Sequence, residues 1–263
     1  MTGWQALLWG GASVSGIFLC AWIVARRIGN YSLVDAVWAF GIGLLALGWL
    51  LALGEPSLKI GVAGAMVAAW SVRLGWHLQR RIYRAYPEED ARYLKLRELW
   101  KRREGIAFFL FFQLQAVSVL LLALPFFWVG MDGDRSWGAW EMAGVLFAAG
   151  GISGEARADA QMARYKKTHP GPGGVCREGL WRLSRHPNYF FEFIIWLGFY
   201  LFACGSEWGW TAIHAPALIL FLLLRVTGIP PTEAAALRRK GDAYRDYQKT
   251  TSAFIPWPPK KAD

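Results

Sequence analysis

The chain of 263 residues is 55% hydrophobic and contains 16 tryptophans and 16 phenylalanines, which excludes an ordinary soluble domain. A net charge of +10 is typical of nucleic-acid-binding proteins. Here the basic residues fall in alternate segments between apolar runs, as membrane topology requires, so no nucleic-acid partner is expected. The three cysteines fit neither a disulfide framework nor a metal-ligand spacing, and no metal site is predicted.

Long uncharged runs predict an all-α, polytopic membrane protein with about seven transmembrane helices. The predicted spans cover residues 4–25, 33–53, 58–78, 106–129, 137–154, 189–204 and 210–226. Lysine and arginine concentrate after the first, third, fifth and seventh spans, whereas the opposite connections carry acids such as Glu55 and Glu207. The N-terminus is therefore expected outside and the C-terminus in the cytoplasm, and the predicted location is a bacterial inner membrane.

One acid lies near the cytoplasmic end of the second span. Asp35 follows Asn30-Tyr31-Ser32, and Trp38 lies about one turn later on nearly the same face. A buried acid in a membrane helix is costly without a partner. Two interpretations stay open: Asp35 caps the helix or pairs with an arginine, or it takes a direct part in proton delivery.

The third span carries a basic stripe that reaches the cytoplasmic surface. Arg73, His77, Arg80 or Arg81, and Arg84 recur there at helical spacing. This stripe suits the phosphates of a dinucleotide, with His77 as a candidate proton donor. The alternative for His77 is a structural, hydrogen-bonded group.

Two further cytoplasmic segments are rich in charge. Residues 88–93 mix both signs and are predicted to form a solvated face with local ion pairs, in which Tyr93 beside Arg92 can stack on a purine. Asp159 and Lys166 lie seven residues apart on one helical side. Such a pair is usually structural, but in a dinucleotide site the acid accepts from ribose hydroxyls and the lysine meets phosphate.

The sixth span follows a basic segment in which Arg182, Arg185 and His186 suit phosphate groups. Pro187 is typical of the first turn of a helix.

Within that span Asn188, Glu192 and Trp196 recur at i, i+4 and i+8, so they share one face. A carboxylate inside an apolar helix indicates a functional site. An amide beside a carboxylate can donate to and accept from a primary carboxamide such as that of nicotinamide. The alternative is a snorkelling helix end with Asn188 as a cap, which leaves Glu192 unexplained.

Ile229-Pro230-Pro231 is expected to end the seventh predicted span, and the segment that follows has an amphipathic pattern. Thr232 is the predicted N-cap of a helix from Glu233 to about Gln248, which carries Tyr244. This helix is expected either to cover a cofactor site or to rest on lipid headgroups.

These motifs resemble the membrane-embedded steroid 5α-reductase superfamily, and most closely its bacterial DUF1295 branch. The residues that carry the resemblance are Arg185-His186-Pro187-Asn188-Tyr189-Phe190-x-Glu192, Trp196, Glu233, Tyr244-x-x-Tyr247, Phe254-Ile255-Pro256, Ser32-x-x-Asp35-x-x-Trp38 and Glu89-Asp90-x-Arg92-Tyr93. The resemblance implies that a single domain, residues 1–263, holds NADPH from the cytoplasmic side, chiefly in its C-terminal half, about 141–263. It implies reduction of a carbon–carbon double bond conjugated to a carbonyl in a steroid-like or lipid-like substrate that enters from the bilayer.

The resemblance and the basic segments together define the expected site. In the family, residues equivalent to Asn188 and Glu192 hold the nicotinamide end, whereas those matching Asp159 and Lys166 face ribose and phosphate. Cofactor contacts are expected from Arg73, Arg80, Arg81, Asp159, Lys166, Arg182, Arg185, His186, Asn188, Tyr189, Glu192, Glu233 and Tyr244. Trp38 and Trp196 are the expected substrate-binding residues.

One departure from the family concerns the proton donor. The eukaryotic reductases pair a Gln-Glu on the second helix with a tyrosine on the third, and here Trp70 aligns with that tyrosine. Asp35 is the candidate acid, with His77 or Tyr93 as the candidate replacement for the tyrosine.

Two other functional classes remain. Membrane methyltransferases that use S-adenosylmethionine also carry an Arg-His-Pro motif, but they have a downstream Glu-Glu, whereas Glu233 is followed by alanines. A lipid-binding or transport protein would use the basic loops for anionic headgroups and would need no cofactor.

Overall fold

The computed structural model of the protein describes residues 1–133, 136–171 and 173–260. These residues form helices joined by short connections, together with one isolated parallel bridge between Ser184 and Ser252. The helices are α1 Gly3–Ile28, α2 Leu33–Leu53, α3 Leu58–Ala85, α4 Ala91–Trp100, α5 Glu104–Met131, α6 Ala139–Thr168, α7 Leu180–Leu183, α8 Pro187–Ala203, α9 His214–Phe221, α10 Ile229–Lys240 and α11 Asp242–Thr250. A 3-10 turn, Gly209–Ile213, precedes α9, and a π-helical turn, Leu222–Val226, follows it.

Five helical stretches in the described residues are long and apolar enough to cross a membrane: α1, α2, α3, α5 and the run Gly209–Lys240. The protein is therefore an all-α, multi-pass membrane protein, as the sequence predicts. The remaining two predicted spans correspond to the first half of α6 and to α8, which has 17 residues. The count of seven and the orientation stay predictions.

The chain divides into two compact units, and the first comprises residues 1–138 and 203–212. Helices α1, α2, α3 and α5 make up its bulk. Thr2 and Gln5 form a capping box at the start of α1, and Gly29 ends that helix with a left-handed backbone at φ 70°. Close approach between helices depends on small residues, because a side-chain carbon added at Gly43 would lie 2.2 Å from Ser71 Oγ.

The second unit comprises residues 139–202 and 213–263, and α6 packs against α8 within it. Glycines line this contact: a Cβ atom at Gly198 would lie 2.5 Å from the Ala148 backbone nitrogen, and one at Gly151 would lie 2.8 Å from that of Ile195. The short helix α7 is fixed by Trp181, which donates from Nε1 to the Ala158 carbonyl at 2.9 Å. These contacts place the start of α8, where the predicted site residues lie.

The predicted helix from Glu233 to Gln248 is wrong in its boundaries and its cap. Helix α10 begins at Ile229, because prolines are compatible with a first helical turn, so Thr232 lies inside the helix rather than at its N-cap. A break then occurs at Gly241, whose φ of 54° favours glycine, and α11 starts after it.

Candidate functional site

In the first unit, Asp35 accepts hydrogen bonds from three side chains. The Tyr93 hydroxyl donates to Oδ1 at 2.6 Å, while Arg92 and Arg81 donate to Oδ2 at 2.6 and 3.1 Å. This geometry matches the interpretation that Asp35 pairs with an arginine, because Arg92 and Arg81 both lie within ion-pair distance of its Oδ2. Its part in proton delivery stays a prediction.

Tyr93 is only 3% exposed. Burial raises the pKa of the Tyr93 hydroxyl well above its ordinary value, and the negative charge of Asp35 raises it further. The hydroxyl therefore stays protonated and serves Asp35 as a hydrogen-bond donor.

Asp90 joins the same cluster. Burial raises the pKa of its carboxyl, but hydrogen bonds from the Arg92 side chain and backbone outweigh burial, so the net pKa lies below its ordinary value. The Asp90 backbone N–H donates to Ser32 Oγ at 3.0 Å. The motif around Ser32 and Asp35 is thus bonded to the motif around Asp90 and Tyr93, although 58 residues separate Asp35 from Tyr93.

The other predicted residues of this unit lie on α2 and α3. Trp38 donates from Nε1 to Ser118 Oγ at 2.9 Å and packs edge-on against buried Trp70. Arg80 lies over the ring of Trp76, with 4.9 Å between the guanidinium carbon and the ring centroid. His77 is exposed and Arg73 is half-buried.

In the second unit, α8 carries the predicted polar face. Trp196 Nε1 donates to Glu192 Oε1 at 2.8 Å, and both side chains are buried. Asn188 Oδ1 is buried as well, and it has no hydrogen-bond partner in the part of the chain that the structure describes. A buried amide oxygen without a donor is costly, so this atom is suited to an N–H group of a ligand.

Just before this face, Arg185 and His186 both contact the Glu233 carboxylate. Arg185 Nε donates to Glu233 Oε1 at 2.7 Å, and His186 Nε2 lies 3.2 Å from the same oxygen. The Gln248 amide donates to Glu233 Oε2 at 2.8 Å, and Arg185 also donates to the Gln248 and Thr251 carbonyls. These contacts join the start of α8 to α10 and α11, and the predicted role of the three charged residues in cofactor binding stays a prediction.

The two predicted tyrosines lie beside these contacts. The Tyr189 hydroxyl lies 3.1 Å from Thr232 Oγ1, and the Tyr189 ring stacks on the His186 imidazole with 5.3 Å between centroids. Burial raises the pKa of the Tyr244 hydroxyl to about 12, and the Glu233 charge contributes to this rise.

Three further predicted cofactor residues lie on α6 and α7. Arg182 and Lys166 are exposed, and Asp159 is half-buried on α6. Their roles stay predictions.

Residues 252–257 also support the start of α8. Arg185 donates its backbone N–H to the Ser252 carbonyl at 2.8 Å, and Trp257 donates its backbone N–H to the Leu183 carbonyl at 2.9 Å. Sequence reasoning missed Gln248 and Ser252 as supporting residues. Their polar character in an amphipathic segment was visible, but nothing local indicates which distant atoms they meet.

The fold and the polar face on α8 define a helical, multi-pass membrane protein with a candidate ligand site. Residues 21–251 match the family described as "Protein of unknown function (DUF1295)". The chain belongs to this family. An uncharacterized protein of Schizosaccharomyces pombe, C594.04c, is 27% identical over 268 residues, which cover 89% of this chain and 75% of the relative. No solved structure matches the chain.

The residues on α8 fit the nicotinamide end of NADPH. The Asn188 oxygen can accept from the carboxamide N–H, and Glu192, held by Trp196, offers further acceptor capacity. The fit depends on the orphaned amide oxygen rather than on the family match.

Proposed function

We propose that this protein is an NADPH-dependent reductase of a conjugated carbon–carbon double bond in a hydrophobic, steroid-like or lipid-like substrate. The observation that carries the proposal is the buried, unpartnered Asn188 Oδ1 one turn before Glu192 on α8. The resemblance to the steroid 5α-reductase superfamily, carried by the Arg185–Glu192 motif, supports the same assignment.

NADPH, when bound, supplies the hydride, and the reaction also consumes one proton. In this proposal Asn188 and Glu192 orient the nicotinamide through its carboxamide, while Trp196 fixes the Glu192 carboxylate. The resemblance assigns substrate binding to Trp38, on α2 of the first unit, and to Trp196, on α8 of the second unit.

The proton source in this proposal is His77 rather than the other two candidates. Both side chains are already engaged: Asp35 Oδ2 accepts hydrogen bonds from Arg81 and Arg92, and burial raises the pKa of the Tyr93 hydroxyl, which donates to Asp35 Oδ1. His77 is exposed on α3, and histidine is the side chain that most often acts as a general acid or base. Asp35 and Tyr93 then position the segment around residues 86–93.

We place the protein in the cytoplasmic membrane with the cofactor on the cytoplasmic side. The inner membrane of a bacterium is the expected location, and the relative that the chain resembles is a protein of a yeast.

Methyl transfer from S-adenosylmethionine is the second candidate. It is favoured by the direct contact of Arg185 and His186 with Glu233, since the membrane methyltransferases share the Arg-His-Pro motif. Glu233 stands without an adjacent second acid in the sequence, which ranks this candidate below the first.

The test is a binding titration of the full-length protein in lipid nanodiscs with NADPH and, separately, with S-adenosylmethionine. Binding of NADPH is expected, and Asn188→Ala and Glu192→Gln should each weaken it by about 10- to 100-fold. The first variant removes a buried acceptor and the second replaces a charged acceptor by a neutral amide, and such changes cost about 1.5–3 kcal/mol. Glu141→Gln is the matched control, since it neutralises another buried acid of the second unit, and it should leave NADPH binding unchanged.

Equal affinities of wild type, Asn188→Ala and Glu192→Gln for NADPH would contradict the proposal. Binding of S-adenosylmethionine without NADPH would favour methyl transfer, and binding of neither would favour a lipid-binding or transport protein. Thermal unfolding of each variant separates loss of the site from loss of the fold. Oxidation of NADPH in the presence of a hydrophobic enone then tests the reaction itself.

A further inference from the structure

A cleft of about 480 Å³ lies where the C-terminal end of α1 meets the N-terminal end of α5, within the first unit. Its volume lies within the range of about 300–1,000 Å³ that is common for small-molecule sites. An adjoining cleft of about 370 Å³ shares Trp22 and Arg26 with it and adds Arg27. None of these residues belongs to the proposed reductase site.

The walls of the cleft are cationic. Arg26, Arg102 and Arg103 line it, and all three side chains are exposed. Glu104 is the acid among the lining residues, and its carboxylate is 2.5 Å from Arg97 Nη1, so its charge is already compensated. Planar guanidinium groups bind phosphate oxygens well, and a phosphate here would meet net positive charge.

The floor of the cleft is apolar and partly aromatic. Trp22, Ile106 and Phe109 line it, and the Trp22 and Phe109 rings pack edge to face with 5.5 Å between centroids. The Arg26 guanidinium carbon lies 5.6 Å from the centre of the Trp22 ring. Cations over an apolar floor match a ligand that carries a negative headgroup and a hydrocarbon tail, which a free phosphate does not.

A second observation indicates that the cleft binds a ligand and that its arginines do more than set the orientation of the span. Trp22 Nε1 is buried and has no hydrogen-bond partner among the residues that the structure describes. Arginines at the end of a span are expected from the positive-inside rule, but that rule does not require an indole N–H without an acceptor. A phosphodiester or glycerol oxygen would supply the acceptor.

We infer that this cleft binds the headgroup of an anionic glycerophospholipid, with the arginines on the phosphate and the apolar floor against the glycerol and upper acyl chains. This inference is independent of the proposed reductase activity. The anionic leaflet next to the cleft is the cytoplasmic one in the predicted topology.

The experiment uses the full-length protein in nanodiscs that contain equal amounts of phosphatidylglycerol and phosphatidylcholine. Native mass spectrometry after mild activation measures which lipid stays bound. Wild type should retain phosphatidylglycerol preferentially over phosphatidylcholine. In the triple variant Arg26→Gln/Arg102→Gln/Arg103→Gln, the ratio of bound phosphatidylglycerol to bound phosphatidylcholine should fall at least tenfold. The control Lys95→Gln/Arg238→Gln/Arg239→Gln removes the same charge at exposed positions outside the cleft, and it should keep the preference for phosphatidylglycerol.

A conservative variant keeps the inference testable if the triple variant misfolds. Trp22→Phe retains an aromatic ring but removes the N–H, and it should lower the preference by about threefold to tenfold, the effect of one hydrogen bond. Unchanged preference in both cleft variants, or an equal loss in the control, would overturn the inference. Displacement of the lipid by excess inorganic phosphate would also overturn it, because the apolar floor would then contribute nothing.

Discussion

At the residue scale, Lys59 is the most completely buried charge that the structure describes in detail. Its side chain is 0% exposed, and Nζ donates to Asp132 Oδ2 and to the Gly205 carbonyl, each at 2.9 Å. These contacts join the first turn of α3 to the residue that follows α5. Because a buried charge is tolerated only when it is compensated, the pair is expected to control the stability of the first unit.

Lys59→Ala should therefore destabilise the protein by about 3–5 kcal/mol, since it leaves the Asp132 carboxylate without its cation in a poorly hydrated position. The double variant Lys59→Met/Asp132→Leu should recover most of this loss, because neither charge remains. The measurement is the thermal midpoint of the purified protein. A double variant as unstable as the single one would show that the pair is not the source of the effect.

Spacing within one helix could be read from the sequence at this scale, whereas partners from distant segments could not. The i, i+4 relation of Glu192 and Trp196 predicted their shared face, and the structure shows the hydrogen bond between them. By contrast, the contact of Gln248 with Glu233 depends on the break at Gly241, which redirects the chain. Mixed charge in residues 88–93 indicated local ion pairs, but not that Asp35 is their shared acceptor.

At the element scale, the contact of α6 with α8 depends on glycines at helical spacing. Gly144, Gly151 and Gly198 leave no room for a side chain, because a Cβ atom at each would lie within 3.0 Å of backbone atoms of the facing helix. Small residues allow membrane helices to pack closely where hydrophobic burial contributes little. The close approach of α6 and α8 therefore depends on small residues rather than on interlocking apolar side chains.

Gly151→Ala should lower the stability of the protein by about 1–3 kcal/mol, because the added methyl group collides with the Ile195 backbone. Gly150→Ala is the matched control: it is the preceding residue of the same helix, and a Cβ atom there meets nothing within 4 Å. It should be neutral or slightly stabilising, since alanine favours helix. The measurement is the thermal midpoint of each variant. Equal midpoints for Gly151→Ala and Gly150→Ala would contradict the packing argument.

Helix existence was predictable at this scale, but several helix ends were not. The prolines at 230 and 231 were interpreted as a break, yet they lie inside the first turn of α10. Proline is compatible with both situations, since it lacks only a donor that a first turn does not use. The sequence placed Asp159 and Lys166 on one helical side beyond the predicted span, and α6 does continue past its apolar half to Thr168.

At the scale of the whole molecule, hydropathy and charge predicted the class of the protein. Five stretches are apolar enough to be recognised as spans from composition alone. The two remaining predicted spans each contain a buried acid, Glu141 in α6 and Glu192 in α8, and α8 is also short, with 17 residues. Such residues make a span hard to count from sequence, since only packing against other helices can compensate them.

Cysteine labelling in cells would check the predicted topology. In a variant without the three native cysteines, Glu55→Cys should react with a membrane-impermeant maleimide in intact cells, because it lies between the second and third predicted spans. Arg239→Cys, exposed on α10, should react only after the membrane is permeabilised. Labelling of both positions from outside would require an even number of spans between the N-terminus and α10 if the N-terminus is outside.

The parallel bridge between Ser184 and Ser252 bears on how the molecule is made. The backbone ahead of Asn188 completes its hydrogen bonds with Ser252 and Trp257, which are translated long after α8. When α8 enters the membrane during translation, the segment before it therefore still lacks these partners. The candidate ligand site gains its support only after translation has passed Trp257, so a nascent chain that stalls before Ser252 carries the residues of the site without that support.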